Sequence, residues 1–109
     1  MISIDNQTIY CGDSENILKQ LPDKTINCII TSPPYNIGVK YNEYRDMNTE
    51  VEYFDKIDRI MNECIRTLTD DGSIFFNIGS RNCDPLFSYR LVSRINLNIQ
   101  NHIVWVKSI

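Results

Sequence analysis

The sequence predicts an α/β fold, with a mainly parallel sheet flanked by helices. A short apolar run over 26–30 has the composition of a buried strand. An amphipathic stretch over 49–68 follows it with helical spacing, and a second apolar run covers 74–78. Strand, helix and strand in this order are typical of parallel strands joined by a crossover helix. The chain of 109 residues has room for one small domain.

The first predicted strand runs from Ile2 to Tyr10, where apolar and polar residues alternate loosely. A turn at Gly12-Asp13 follows, and a helix is expected over 15–21. Asp13 or Ser14 is expected to cap that helix, because both side chains accept hydrogen bonds from the free N–H groups of a first turn. From the residues alone, Asp13 is therefore interpreted as a capping residue.

The strand over 26–30 ends abruptly in Thr31-Ser32-Pro33-Pro34-Tyr35. Neither proline can donate a hydrogen bond to a sheet, both fix their own φ angle, and Ser32 is held extended because a proline follows it. The strand therefore stops in a stiff loop that presents Tyr35 at a carboxyl end, where ligands bind in open α/β sheets. The alternative is a stiff turn with Tyr35 packed on the surface.

A polar stretch with interspersed tyrosines covers 36–48. It is too long for a tight turn, so we expect either a mobile loop over the site or a disordered surface loop. If the loop closes on a substrate, Lys40 and Arg45 are candidate phosphate contacts, and Tyr41 or Tyr44 is a candidate stacking residue.

A long helix is predicted after this loop, with one apolar face that runs from Val51 to Leu68. Thr49 and Glu52 have the spacing of a capping box. Asp70-Asp71-Gly72 is expected to end the helix. We assign this face to the core and give it no function.

A second buried strand is predicted over 73–79, with Asn77 and Gly79 near its carboxyl end and Ser80-Arg81-Asn82 after it. These polar groups are expected beside Ser32, where Arg81 is either a phosphate contact or a surface residue. A helix that begins near Pro85 and runs to Ile95 follows, with Asp84 or Ser80 as its cap. A third strand is predicted over 99–106.

Composition limits the functions that the chain can have. The net charge of −3 argues against nonspecific binding of nucleic acid, so any DNA contact would have to be local. One histidine and four widely spaced cysteines, expected to be reduced and mostly buried, give no metal-site pattern. No apolar run approaches the roughly 20 residues of a membrane span and no signal pattern is present, so a cytoplasmic protein is expected.

The segment from Thr31 to Tyr35 resembles motif IV of the DNA methyltransferases that modify exocyclic amino groups, at N4 of cytosine or N6 of adenine. That motif is an acidic residue, asparagine or serine, followed by two prolines and an aromatic residue. Gly12-Asp13, Leu21-Pro22-Asp23 and the end Ile103 to Lys107 match the family in the same order. The resemblance is to the subclass whose catalytic motif precedes its cofactor motif, and it implies a partial Rossmann-like methyltransferase fold.

The resemblance also implies roles for individual residues. The Ser32 side chain and the Pro33 carbonyl would accept hydrogen bonds from both N–H groups of a target amino group, which localises its lone pair for attack on the methyl group of S-adenosylmethionine. Pro34 would help to aim these acceptors, and Tyr35 would stack on a base turned out of double-stranded DNA. The implied cofactor contacts are Asp13, Thr31 and Ser32, and the implied DNA contacts are Lys40, Arg45, Arg81 and Lys107.

One family motif has no counterpart in the sequence. None of the four glycines lies in the Gly-x-Gly turn that binds the methionine part of the cofactor. The resemblance therefore implies that residues 1–109 are the catalytic part of a methyltransferase domain, without motif I and the target-recognition region. Either a second chain or self-association is expected to complete the sheet, or the chain pairs its own strands directly in a smaller sheet, and both arrangements leave edges that favour association.

Two choices stay open from the sequence. Serine at the first motif position favours N4 of cytosine over N6 of adenine. The alternative to an enzyme is an inactive remnant or a non-catalytic subunit with the same fold.

Overall fold

The chain begins with a short antiparallel hairpin. The structure, a computed structural model, describes residues 1–41 and 44–107. Strand β1 covers Ile2–Ile4 and strand β2 covers Gln7–Ile9. Asp5 turns the chain between them with φ 53°, a left-handed conformation that aspartate tolerates better than most residues. The predicted single strand from Ile2 to Tyr10 is therefore wrong, and its two halves pair with each other instead of joining the parallel sheet.

Helix α1 covers Ser14–Leu18 and is capped by Asp13. The Asp13 carboxylate accepts hydrogen bonds from the backbone N–H of Glu15 at 3.0 Å and of Asn16 at 3.4 Å. The predicted capping role is confirmed, although the helix ends before the predicted residue 21.

Two strands form the parallel sheet of the fold. Strand β3 covers Ile26–Thr31, as the sequence predicts, and strand β4 covers Leu68–Phe76. Strand β4 begins earlier than predicted because the register passes from the pair Ile26–Leu68 directly to the pair Cys28–Ser73. Residues 69–72 of β4 form an irregularity in the pairing of the two strands. They do not form the separate turn expected at Asp70-Asp71-Gly72. The α/β class with a parallel sheet and flanking helices is confirmed.

Helix α2 covers Glu50–Thr67 and connects the two parallel strands. Its capping box is complete: the Thr49 hydroxyl accepts from the N–H of Glu52, and the Glu52 carboxylate accepts from the N–H of Thr49, each at 3.2 Å. The buried residues of this helix form the centre of the core: Tyr53, Phe54, Ile57, Met61, Cys64 and Thr67. Val51, which the predicted apolar face includes, is 70% exposed.

Replacing Thr49 with alanine is expected to lower the free energy of unfolding by about 1 kcal/mol, because the N–H of Glu52 loses its acceptor. Thr49→Ser keeps the hydroxyl and should stay close to the wild type. Urea unfolding of the three proteins checks this, and equal midpoints for the alanine and serine variants would contradict it.

Helix α3 covers Phe87–Val92 and packs on the first half of α2. The Phe87 ring lies 5.4 Å from that of Phe54 and 5.6 Å from that of Tyr53. The N-cap is Leu86, which makes no capping hydrogen bond, so the predicted cap at Asp84 or Ser80 is wrong. Ser80 nevertheless accepts from the backbone N–H of Ser88 at 2.9 Å. The helix is shorter than the predicted 85–95.

The predicted third strand over 99–106 is absent from the described part of the chain, where residues 98–107 form neither strand nor helix. Ile103, Val104, Trp105 and Val106 are exposed. A strand needs a neighbour that satisfies its backbone groups, and no described strand pairs with this segment. Among the described helices, none has the length and apolar character of a bilayer-crossing segment.

Candidate active site

The carboxyl ends of β3 and β4 bring together the polar residues that follow each strand. The backbone N–H of Asn77 donates to the Thr31 carbonyl at 2.9 Å, which extends the pairing of the strands to the start of the Ser32-Pro33-Pro34-Tyr35 loop. Adjacent parallel strands end at the same edge of a sheet. The predicted position of Asn77 beside Ser32 is therefore confirmed.

Ser32, Tyr35 and Asn77 form a triangle of hydrogen-bonding groups. The Asn77 side-chain amide donates to the Tyr35 hydroxyl at 2.9 Å and to the Ser32 hydroxyl at 3.3 Å. The two hydroxyl oxygens lie 3.2 Å apart. A hydroxyl oxygen has two lone pairs, so when Ser32 donates its proton to the Tyr35 hydroxyl it can accept from Asn77 and from one further N–H donor.

The Tyr35 ring also has a close neighbour on its carbon edge. A Cβ placed on Gly79 would lie 3.2 Å from Tyr35 Cδ2 and 3.3 Å from Cε2, which is tighter than ordinary contact. Glycine at this position therefore leaves the space that the ring occupies. Tyr35 is fixed by Asn77 at its hydroxyl and by Gly79 along its side.

Tyr53 of helix α2 holds the Ser32-Pro33-Pro34-Tyr35 loop in place. Its hydroxyl donates to the carbonyl oxygen of Pro34, and its side chain is fully buried. Within the described residues no hydrogen bond reaches the neighbouring Pro33 carbonyl, so that oxygen retains its accepting capacity. The sequence prediction missed Tyr53, although its four-residue spacing to Ile57 and Met61 would have placed it on the buried face of α2.

Tyr53→Phe is expected to lower the free energy of unfolding by about 1 kcal/mol, because it removes the donor to Pro34.

Burial raises the pKa of the Tyr53 hydroxyl well above its ordinary value near 10. A raised pKa means that this stabilisation is fully present below about pH 10 and is lost as pH rises through the folded-state pKa. In an ultraviolet titration Tyr53 should therefore ionise only at higher pH than exposed tyrosines, and ionisation near pH 10 would contradict this.

A cavity of about 270 Å³ opens beside this cluster. It is lined by Ser32, Pro33 and Tyr35 and by three apolar or aromatic residues of the following loop, Ile37, Val39 and Tyr41. This volume lies just below the range of roughly 300–1,000 Å³ for small-molecule sites. The cavity can therefore take only a small ligand.

The predicted DNA contacts lie in different surroundings. Lys40 and Arg45 are exposed and lie opposite each other in a β-bridge of the loop, of which residues 42 and 43 fall outside the described residues. The Arg81 guanidinium stacks 5.2 Å from the Phe87 ring centre, and Lys107 Nζ lies 4.8 Å from that of Trp105. Lys40 and Arg45 are thus the pair that belongs to the loop lining the cavity.

The cysteines are free and do not gather into a site. Cys11, Cys28 and Cys83 are exposed, so the expectation of mostly buried cysteines is wrong, and only Cys64 lies in the core. Burial raises the pKa of the Cys64 thiol. In the part of the chain that the structure describes, no three histidine, cysteine or carboxylate side chains converge as metal ligands.

Comparison with known proteins gives consistent matches. The family model of the DNA methylases matches residues 26–109. The chain is 32% identical to the type II methyltransferase M.BglII of Bacillus subtilis over 91% of its length, and 30% identical to the DNA adenine methyltransferase YhdJ of Escherichia coli, again over 91%. It spans 29% of the first relative and 33% of the second.

Among solved structures, the fold is similar to that of the PvuII DNA methyltransferase, described as cytosine-N4-specific. The TM-score is 0.60 and the sequence identity is 27%. The similarity covers 78% of this chain and 31% of that chain.

Proposed function

Because this chain belongs to the DNA methylase family, we propose that it carries the residues that transfer a methyl group from S-adenosylmethionine to an exocyclic amino group of a DNA base, with N4 of cytosine favoured. The observation that carries the proposal is the arrangement at the carboxyl end of β3. Ser32 has accepting capacity left, and Tyr35 is held by Asn77 beside a cavity of about 270 Å³.

One carboxylate oxygen of Asp13 supports a proposed contact to part of the cofactor. Asp13 uses one carboxylate oxygen to cap α1, and its other oxygen lies 3.7 Å from Lys56 Nζ at the surface. Such an oxygen is suited to accept from the amino group of an adenosine. We propose that Asp13 contacts this part of S-adenosylmethionine and that Thr31 and Ser32 lie on the side of its methyl group.

The chain's residues would act by orienting the target amino group. Its lone pair is delocalised into the base ring, which makes the nitrogen a poor nucleophile. With one N–H donated to Ser32 Oγ and the other to the Pro33 carbonyl, the nitrogen becomes more tetrahedral and its lone pair is localised. When bound, S-adenosylmethionine would supply the activated methyl group, and the proton that the methylated amino group gives up would pass to solvent.

Fixed acceptors are effective because they need no rearrangement during the reaction. The prolines restrict the backbone of the loop. Tyr53 holds the Pro34 carbonyl from below, which leaves the Pro33 carbonyl available. Tyr35 would offer its ring to the base, which must leave the DNA stack to reach the cavity.

The choice between cytosine and adenine is tested by the product. The matched relatives include an enzyme named for adenine and one described as specific for cytosine N4. The chain would be incubated with radiolabelled S-adenosylmethionine and duplex DNA of mixed sequence, and the DNA then digested to nucleosides. Label in N4-methylcytosine supports the proposal, whereas label only in N6-methyladenine overturns the preference for cytosine.

A second candidate function is a non-catalytic subunit or remnant that keeps the fold. Isothermal titration of the chain with S-adenosylmethionine, together with the transfer assay, separates the two. Cofactor binding with transfer to DNA supports the enzyme. Because the sequence has no Gly-x-Gly turn, the transfer assay is repeated with a polypeptide that carries motif I added in trans. Recovered transfer supports the enzyme, and failure of this mixture as well would favour the non-catalytic alternative.

We also infer that another protein surface completes the sheet. Ile30 and Phe75, which are paired in register on β3 and β4, are 80% and 56% exposed. Apolar sheet residues of this kind are normally covered. A second chain or a second copy of this chain would supply the cover, and sedimentation equilibrium over a range of concentrations distinguishes a self-associating chain from a monomer that needs a partner.

A further inference from the structure

Asp46 is a buried carboxylate that is hydrogen-bonded entirely to backbone. Its Oδ1 accepts from the N–H of Asn36 at 2.9 Å, and its Oδ2 accepts from those of Ile37 at 3.2 Å and Val39 at 2.9 Å. Its own carbonyl accepts from the N–H of Gly38 at 2.8 Å. Four consecutive N–H groups of the loop therefore bind this one residue.

These hydrogen bonds explain how a carboxylate can be buried here. The Asp46 side chain is 3% exposed, and no ion pair to it exists among the described residues. Burying an unpaired charge is very costly unless hydrogen bonds replace its hydration. Three charge-assisted bonds from backbone N–H groups supply that replacement.

The loop backbone is shaped to receive an anion. Asn36 and Gly38 have φ of +60° and +88°, so left-handed residues alternate with Ile37 and Val39. Such alternation turns successive N–H groups toward one side and forms a concave anion site, called a nest. Here the anion is the Asp46 side chain of the same loop.

A second contact closes the loop at its base. The Asn36 side chain donates to the Asn48 carbonyl at 2.8 Å and accepts from the Asn48 N–H at 2.7 Å. Asn36 is completely buried. Because Asn48 directly precedes the cap of α2, the loop is joined at this end to the rigid part of the fold.

Two of the residues that Asp46 holds also line the cavity beside Ser32 and Tyr35. Ile37 and Val39 are 47% and 46% exposed, so core packing does not fix them. Their backbone N–H groups are fixed instead by the Asp46 carboxylate. The loop thereby keeps two apolar side chains exposed at the cavity, where an apolar ligand surface would cover them.

We propose that Asp46 is a positioning residue for base binding: it holds Ile37 and Val39 as an apolar wall of the cavity that receives the target base. Asp46 itself does not contact the base. The identity of the ligand rests on the proposed function. The loop would already have its binding conformation before the base arrives, rather than being ordered by the base.

The test compares Asp46→Asn with a matched control, Asp71→Asn. Asparagine keeps the size of the side chain but replaces one acceptor oxygen with a donor, which opposes the loop N–H groups. Asp71 is exposed and lies in β4, outside the loop, and its substitution makes the same change in charge. Amide hydrogen exchange by NMR should be at least about tenfold faster at Ile37 and Val39 in Asp46→Asn, with unchanged exchange in β3 and β4.

Base binding is measured with deoxycytidine and deoxyadenosine as probes. The chemical shifts of Tyr35 and Ile37 report the binding. Wild type and Asp71→Asn should bind a probe equally, and Asp46→Asn at least about tenfold more weakly. Unchanged exchange in Asp46→Asn would overturn the structural claim. Equal probe binding by all three proteins, or none by the wild type, would overturn the role in base binding. Methyl transfer to DNA, assayed separately, reports on the proposed function, so the two can fail independently.

Discussion

Replacing Ser32 with alanine is expected to lower the rate of methyl transfer to DNA about 100- to 1,000-fold, the usual effect of removing one preorganised hydrogen-bonding group from an active site. The alanine variant leaves one N–H of the target amino group without an acceptor, so its lone pair stays delocalised. The loop itself should persist, because Asn77 still bonds to Tyr35 and Tyr53 still bonds to Pro34. The measurement is incorporation of radiolabelled methyl groups into DNA at saturating cofactor and DNA.

Ser73→Ala is the matched control for this variant. Ser73 is an exposed serine on β4 that is not among the residues lining the cavity and makes no side-chain hydrogen bond within the described chain. Its substitution should leave the rate within about twofold of the wild type, since isolated surface changes have small effects. If Ser32→Ala transferred methyl groups as fast as this control, the proposed role of Ser32 would be wrong.

Replacing Phe87 with alanine is expected to lower the free energy of unfolding by about 3–5 kcal/mol. The Phe87 ring is buried among Tyr53 and Phe54, and the guanidinium groups of Arg81 and Arg90 lie over it at 5.2 and 5.9 Å from its centre. Its removal leaves a cavity at the contact of α2 and α3. Small domains are stable by only about 5–15 kcal/mol, so a large part of the total would be lost.

Leu86→Ala provides the comparison for this core variant. Leu86 directly precedes Phe87 but is 61% exposed, and its truncation should change the free energy of unfolding by less than about 0.5 kcal/mol. Both are measured by urea unfolding with circular dichroism. Similar midpoints for the two variants would mean that α3 does not contribute to the core. Because Tyr53 contacts both Phe87 and the Pro34 carbonyl, the Phe87 variant should also loosen the loop at the candidate active site.

The elements that the sequence predicts correctly are those specified by local patterns. β3 ends where the prolines remove backbone donors, and α2 begins where Thr49 and Glu52 cap each other. The apolar face of α2 repeats with the helical period, and its burial follows from that repetition. The juxtaposition of Ser32 and Asn77 was also predictable, because parallel neighbours end at one edge of a sheet.

The elements that the sequence predicts wrongly depend on pairing partners. Ile2 to Tyr10 folds back on itself because Asp5 adopts a left-handed turn, and the alternation of its residues is equally compatible with one strand or two. The apolar segment over 99–106 has strand-like composition, but no described strand lies beside it. β-structure is stabilised by neighbours that are distant in sequence, so composition alone does not decide it.

The sequence by itself determined the family, the stiff Ser32-Pro33-Pro34-Tyr35 loop and the acceptors proposed to hold an amino group, because these are properties of a contiguous motif. Only the tertiary structure decided how that motif is held. Tyr53 reaches it from α2, and Asn77 reaches it from β4. Asp46, which lies ten residues after Asn36 in the sequence, accepts from the backbone N–H of Asn36. The sequence can place Asn77 near Ser32 and Tyr53 on the buried face of α2, but it does not show the hydrogen bonds that these residues and Asp46 make to the loop. A hydrogen bond between residues far apart in the chain is created by the fold and leaves no periodic pattern.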